Sequence, residues 1–336
     1  MSDVLEVKHL SVSFFTRQGE VQAVRNVSFS LKKGEILALV GESGCGKSAL
    51  CRSIMKLLPA SAKQKSGQIL LEGEDITGYP ERKMCTLRGS RFSMVFQDPM
   101  TALDPAMTIG DQIAEAVKQQ KADQKQRLSR EQVYHRVEEL MELVGIDYPA
   151  ERSRQYPHQF SGGMRQRAVL AVALAGNPEI IFADEPTTAL DVTVQAQILD
   201  LFRDIQKKLG TSIVFVTHDL GAVAHVADRV AVMYAGYIVE YTDTMTLFAS
   251  PRHPYTCGLI EAIPSRNKHE RPLQAIPGST PSLEDLPKGC PFAERCAYCE
   301  AKCIQELPDL KEIAPDHFSR CHFPEKLDDY KGLITL

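Results

Sequence analysis

The sequence predicts an α/β protein: a parallel sheet with an antiparallel β subdomain, a helical subdomain, and a loop-rich, cysteine-containing C-terminal extension. Three observations carry that prediction. Residues 36–40, 179–183 and 212–216 are short apolar runs, each followed by glycine or polar residues and then a helical pattern, which is how strands of a parallel sheet read. Residues 5–14 and 23–31 alternate apolar and polar side chains, as antiparallel strands with one buried face do. From Pro251 onward the chain holds eleven of its nineteen prolines, which disfavours long helices and central strands there.

Taken in order, the run at 36–40 leads through a glycine-rich loop into a helix expected over 49–58, which is half of a nucleotide-binding βα unit. Residues 109–156 are mostly helical in pattern. The best element there sets Val133, Val137, Leu140, Met141 and Val144 on one face, with Ser129 and Gln132 spaced as a capping box. Gly145 suits the position just past its end, where a left-handed backbone is needed. A further apolar helix opens at Ser161 and runs to about Ala175. The expected division is a main domain over 1–250, with its helical subdomain at about 100–160, and an extension over 251–336.

At 336 residues the chain exceeds the usual size of one core, in keeping with a domain plus an extension. Its 43% apolar and 24% charged residues are ordinary for a globular protein. A formal net charge of −4 gives no global attraction to phosphate backbones, so nucleic acid is not expected as a partner. Residues 1–12 lack the regions of a signal peptide, so the protein is expected to stay inside the cell. The apolar run at 168–175 is broken by Gly176, Asn177 and Pro178, well short of the roughly 18 residues of a span. Any membrane role is therefore expected to come through partners. Nine cysteines without a secretion signal argue against a disulfide framework.

Gly41, Glu42, Ser43, Gly44, Cys45, Gly46, Lys47 and Ser48 match GxxxxGK[ST], a loop whose amides cradle phosphate between a strand and a helix. Lys47 is expected to reach the terminal phosphates, and the Ser48 hydroxyl to ligate Mg2+. Asp184 and Glu185 follow a buried strand, at the carboxyl end where such sheets hold ligands. Asp184 suits the Mg2+ shell, and Glu185 the orientation or deprotonation of an attacking water. Ser161, Gly162 and Gly163 open a helix with a good N-cap and accessible amides. Gln97 follows the apolar run 92–96, and His218 follows Thr217 at a strand end.

In order and spacing, residues 41–48, Gln97, 161–163, Asp184 with Glu185, Asp191 and His218 resemble the nucleotide-binding domains of ABC ATPases, a branch of the P-loop NTPases. The resemblance covers about residues 4–250. It implies that Gly41, Ser43, Gly44, Cys45, Gly46, Lys47, Ser48 and Ala49 contact ATP. It makes Gln97 the residue that senses Mg2+ and water, and His218 the switch histidine at the γ-phosphate. Asp191, in the loop Thr188, Ala189, Leu190, Asp191, would communicate across a dimer. Phe14, or Phe15, would stack on adenine. The implied mechanism is a head-to-tail dimer in which one subunit's phosphate loop and its partner's Ser161 segment enclose ATP. Phe160 and Met164 depart from the family's usual leucine and glutamine without removing the serine or its amides.

Five cysteines, Cys290, Cys296, Cys299, Cys303 and Cys321, crowd the extension. Four thiolates suffice for an iron-sulfur cluster or a tetrahedral Zn2+. Residues 251–256, with Gly289, Cys290, Pro291, Phe292, Arg295 and Cys296, resemble the C-terminal extension of dipeptide and oligopeptide importers. That resemblance implies a [4Fe-4S] cluster on Cys290, Cys296, Cys303 and Cys321, leaving Cys299 over. It also implies a second, related ATPase subunit as heterodimer partner, two transmembrane permeases, an extracytoplasmic substrate-binding protein, and a place at the cytoplasmic face of the cell membrane. Nickel and metallophore importers share the subfamily, so the cargo stays open between peptide and those. ABC ATPases outside transport usually carry two modules or a long coiled coil, and neither is present. A metal or redox module with the cysteines as its active element is the remaining alternative.

Overall fold

The computed structural model describes residues 2–17, 19–123, 128–188, 190–263 and 276–330. It divides into two compact units, one of Met1–Thr77 with Val216–Leu336, the other of Gly78–Phe215.

The first unit holds two sheets. Strands Asp3–Phe15 and Glu20–Lys32 pair antiparallel, as their alternation predicts, and Asp3–Phe15 also pairs antiparallel with Ala62–Leu71. The second sheet orders Lys311–Ala314, His317–Ser319, Tyr237–Asp243, Arg229–Tyr234 and Ile36–Val40. Within it Ile36–Val40 runs parallel to Arg229–Tyr234. Every residue of Ile36–Val40 is buried, which is why this strand reads as a continuous apolar run rather than an alternation. Around it a core gathers Val40, Val232, Tyr234, Phe248, Tyr255 and Phe292, so residues beyond Pro251 pack into the same core as the strand that leads to the phosphate loop.

The helix expected over 49–58 runs instead over Lys47–Ile54. It closes at Lys56, whose φ is 52°, with Leu57 N–H donating to the Arg52 carbonyl and Lys56 N–H to that of Ser53. Those two bonds make a Schellman closure, for which glycine or asparagine is the usual sequence sign. A lysine there conceals it.

In the second unit Phe92–Val95 runs parallel to Ile180–Asp184, with Ser212–Thr217 next in order. The helix Arg130–Leu143 has the complete capping box: Ser129 accepts from the Gln132 amide, and the Gln132 side chain accepts from the Ser129 amide. Val133, Val137, Leu140 and Met141 are its buried face. Gly145 follows at φ 74°. Helix Gly162–Leu174 starts at Ser161 and is buried along most of its length. Among the described residues no helix is long and apolar enough to cross a membrane.

Candidate functional site

The phosphate loop lies in the first unit. Strand Ile36–Val40 delivers the chain to Gly41, and helix Lys47–Ile54 begins after Gly46, which sits at φ 107° as its N-cap. A Cβ on Gly41 would stand 2.2 Å from the Met233 carbonyl oxygen, and one on Gly46 the same 2.2 Å from that of Ala23. Only glycine fits where backbone passes backbone so closely. No side chain caps the helix, so its first turn has the character of an anion-binding helix start.

Lys47 is 4% exposed. Its ammonium donates to the Gly41 carbonyl at 2.7 Å and the Glu42 carbonyl at 2.9 Å. A cation held by oxygen acceptors beside a glycine cradle fits the terminal phosphates of a nucleotide, whose oxygens are acceptors of the same kind. Cys45 is buried, and burial pushes its thiol up despite the opposing charge of Lys47. Ser43 and Gly44 are exposed, while Ser48 and Ala49 are half-buried in the helix's first turn. His218 is exposed just past strand Ser212–Thr217. Phe14 is half-buried, whereas Phe15 is 41% exposed and has the Lys63 and Lys65 ammonium groups 5.8 and 5.4 Å from its ring centre.

The acids lie in the second unit. Asp184 ends its strand at 1% exposure. Glu185 follows at φ 48°, a left-handed conformation that long side chains rarely adopt. One oxygen of its carboxylate, Oε2, accepts from Gln97 Nε2 and from Thr188 Oγ1, each at 3.0 Å. Gln97 reaches it because strands Phe92–Val95 and Ile180–Asp184 are paired in parallel and end together. Those two bonds fix the orientation of the carboxylate. Within the second unit, Gln97 and Asp184 both carry oxygen donors of the kind Mg2+ takes, and in the first unit the Ser48 hydroxyl is another.

Ser161 is the N-cap of its helix, accepting from the Met164 amide at 3.3 Å. Gly163 faces Val194: a Cβ there would stand 2.6 Å from Val194 Cγ1. Asp191 caps the next helix, Val192–Leu209, accepting from the Val194 amide at 2.9 Å. Ala189, in the same loop, lies outside the described residues.

Cys290, Cys296, Cys303 and Cys321 line one small cavity together, and Cys299 is not on it. Burial pushes the Cys290 thiol up to about 12 and that of Cys321 up to about 11. Among the described residues no group of three or more histidines, cysteines or acids stands arranged to hold a metal ion. The donor chemistry of the quartet fits a cluster or Zn2+, and the spacing of the thiols as they stand does not.

Sequence reasoning passed over two parts of this site. In sequence Thr188 stands only as a loop residue, although a hydroxyl three places after an acid can bond back to it. Glu42 falls on an unspecified position of the GxxxxGK[ST] motif, yet its carboxylate takes two bonds from Arg295, at 2.9 and 3.0 Å. Those residues are 253 apart in sequence, beyond the reach of any local pattern.

Comparison with known proteins bears on both units. Residues 24–188 match the family described as ABC transporter, and residues 239–303 match oligopeptide/dipeptide transporter, C-terminal region. The oligopeptide transport ATP-binding protein OppD of Bacillus subtilis is 51% identical over 94% of this chain and 87% of its own. The dipeptide transport ATP-binding protein DppD of the same organism is 50% identical over 99% and 98%. Among solved structures, a dimeric ATP-binding cassette in a post-hydrolysis state bound to ADP and Pi superposes with a TM-score of 0.63 at 25% identity, over 71% of this chain and 98% of that one. The cbiO1 protein of Clostridium perfringens, part of an ABC transporter complex, gives 0.61 at 27% identity, over 74% and 91%.

Proposed function

The chain belongs to the ABC transporter family, and on that premise we propose that it is the ATP-hydrolysing subunit of an importer that powers uptake of di- or oligopeptides across a membrane. The observation that carries the reading is the phosphate loop, where a glycine cradle, a helix start and the Lys47 ammonium stand together.

In this reading the loop amides of 41–48 and Lys47 bind the phosphates, Ala49 supports the helix start, and Phe14 or Phe15 stacks on the base. Ser48, Asp184 and Gln97 are the residues that would hold Mg2+. When bound, that ion offsets charge on the transferred phosphoryl group. Glu185 takes the proton of the attacking water, and Gln97 and Thr188 fix the carboxylate that does so. His218 contacts the terminal phosphate. Ser161, Gly162 and Gly163 serve the nucleotide of a second ATPase subunit, in a head-to-tail pair that Asp191 helps to couple.

Two permeases and an extracytoplasmic binding protein complete the machine, with this subunit on the cytoplasmic face. Residues 251–336 are its extension. There Cys290, Cys296, Cys303 and Cys321 would take a [4Fe-4S] cluster, or Zn2+, after closing up from their present spacing. Their sharing of one cavity supports this. Iron and acid-labile sulfide assays on anaerobically purified protein decide between them, and a preparation holding neither metal removes the cluster from the reading.

ATP turnover by the chain with its permeases and partner ATPase, with and without peptide-loaded binding protein, tests the whole. Peptide-stimulated turnover supports peptide import. Turnover that ignores peptides and responds to a nickel complex keeps the motor and changes the cargo.

A further inference from the structure

We infer that Arg295 is a positioning residue of the phosphate loop: the C-terminal extension clamps Glu42 and neutralises it, and nucleotide affinity depends on that clamp. The inference rests on the reading of residues 41–48 as an ATP site.

Glu42 is the only carboxylate in that loop, and unpaired it would repel the phosphates the loop is built to bind. Three groups from beyond Pro251 hold it. Arg295 meets both carboxylate oxygens, Nη1 at 2.9 Å and Nη2 at 3.0 Å. The Thr280 hydroxyl donates to Oε2 as well. The Glu42 backbone N–H donates to the Tyr255 hydroxyl at 2.9 Å. The same residue's carbonyl accepts from Lys47, so the extension fixes the very residue on which the phosphate-binding ammonium rests.

The guanidinium is itself immobilised. Arg295 Nε donates to the Pro277 carbonyl at 2.8 Å, and Nη1 also donates to the Tyr234 hydroxyl at 3.2 Å. Its side chain is 7% exposed. Beneath it the rings of Tyr234, Tyr255 and Phe292 pack with centroids 4.6 to 5.4 Å apart. A planar fork held from behind suits a bidentate carboxylate, and a lysine could not supply both bonds. A rim salt bridge would do little. This one is nearly dry on the arginine side and coupled through one residue to Lys47.

The test is equilibrium binding of a fluorescent ATP analogue with Mg2+ to the purified full chain, alongside its denaturation midpoint. Arg295→Ala is expected to raise Kd about five- to tenfold, with Arg295→Lys between it and wild type. Adding Glu42→Gln to Arg295→Ala should recover most of that loss, because the uncompensated charge is gone; Glu42→Gln alone is the reference for the pair. An unchanged Kd in Arg295→Ala overturns the inference. So does a double variant no better than Arg295→Ala, which would make the arginine a folding residue only. If Arg295→Ala does not fold, the lysine variant carries the same comparison. Lys47→Ala separates the two readings: if it binds as tightly as wild type, the ATP site itself is misassigned.

Discussion

Gln97 Nε2 and Glu185 Oε2 stand 3.0 Å apart, and Thr188 Oγ1 shares the same carboxylate oxygen at the same distance. The pairing leaves Glu185 oriented by two neutral donors on one side. Replacing the carboxylate by an amide, Glu185→Gln, removes the proposed base without changing shape. It should cut ATP turnover by about 10²- to 10⁴-fold while a fluorescent nucleotide still binds. Thr188→Ala should lower kcat several-fold with little change in KM, since it removes one of the two bonds that orient the proposed base. Full turnover in Glu185→Gln would sink the assignment.

Gly46 is the loop position least able to change. Its φ of 107° and the 2.2 Å approach of the Ala23 oxygen to any added Cβ act together. Gly46→Ala should cost about 1–3 kcal/mol from the backbone alone and abolish measurable nucleotide binding. Retained binding with an unshifted melting temperature would mean that the loop is looser than its geometry.

Much of this molecule is legible because its signals are local. The capping box at Ser129 and Gln132, the Gly145 terminus and the alternation in Asp3–Phe15 each depend on neighbours within a few residues. The glycine loop is legible for the same reason: a tight turn needs glycines at fixed offsets. What escaped is non-local or disguised. Lys56 takes the left-handed closure of its helix without being glycine. Asp191 carries a role implied by the family resemblance, and its visible contact is an ordinary N-cap. The Arg295 bond to Glu42 depends on folding the end of the chain back onto its beginning.

Ser129→Ala removes the hydroxyl that accepts from the Gln132 backbone N–H, while the bond from the residue 129 backbone N–H to the Gln132 side chain can persist. The expected loss is about 1 kcal/mol, read as a lower urea midpoint. Because Ser129 lies outside the nucleotide machinery, turnover at a temperature where both proteins are folded should match wild type. A midpoint equal to wild type would mean that packing of Val133, Val137, Leu140 and Met141 holds this helix without its cap.

Glu42 links the extension to pH. Burial works to raise its carboxyl, but the hydrogen bonds from Arg295 and Thr280 outweigh it and hold the group below its ordinary 4.5. The folded protein therefore takes up this proton less readily than the unfolded chain. The clamp's contribution to stability is complete above the ordinary value and drains away as pH falls through the depressed folded value. Solvent reaches the pair from the Glu42 side, whose side chain is 25% exposed, so the amount is small, under about 1 kcal/mol. The measurement is the stability of wild type against Glu42→Gln, followed from about pH 7 down to about pH 3. The gap between them should be widest at neutral pH and close in acid, since a protonated Glu42 and a glutamine present the same neutral face to Arg295. A gap that stays constant over that range would show that the carboxylate's charge is not what binds the extension to the loop.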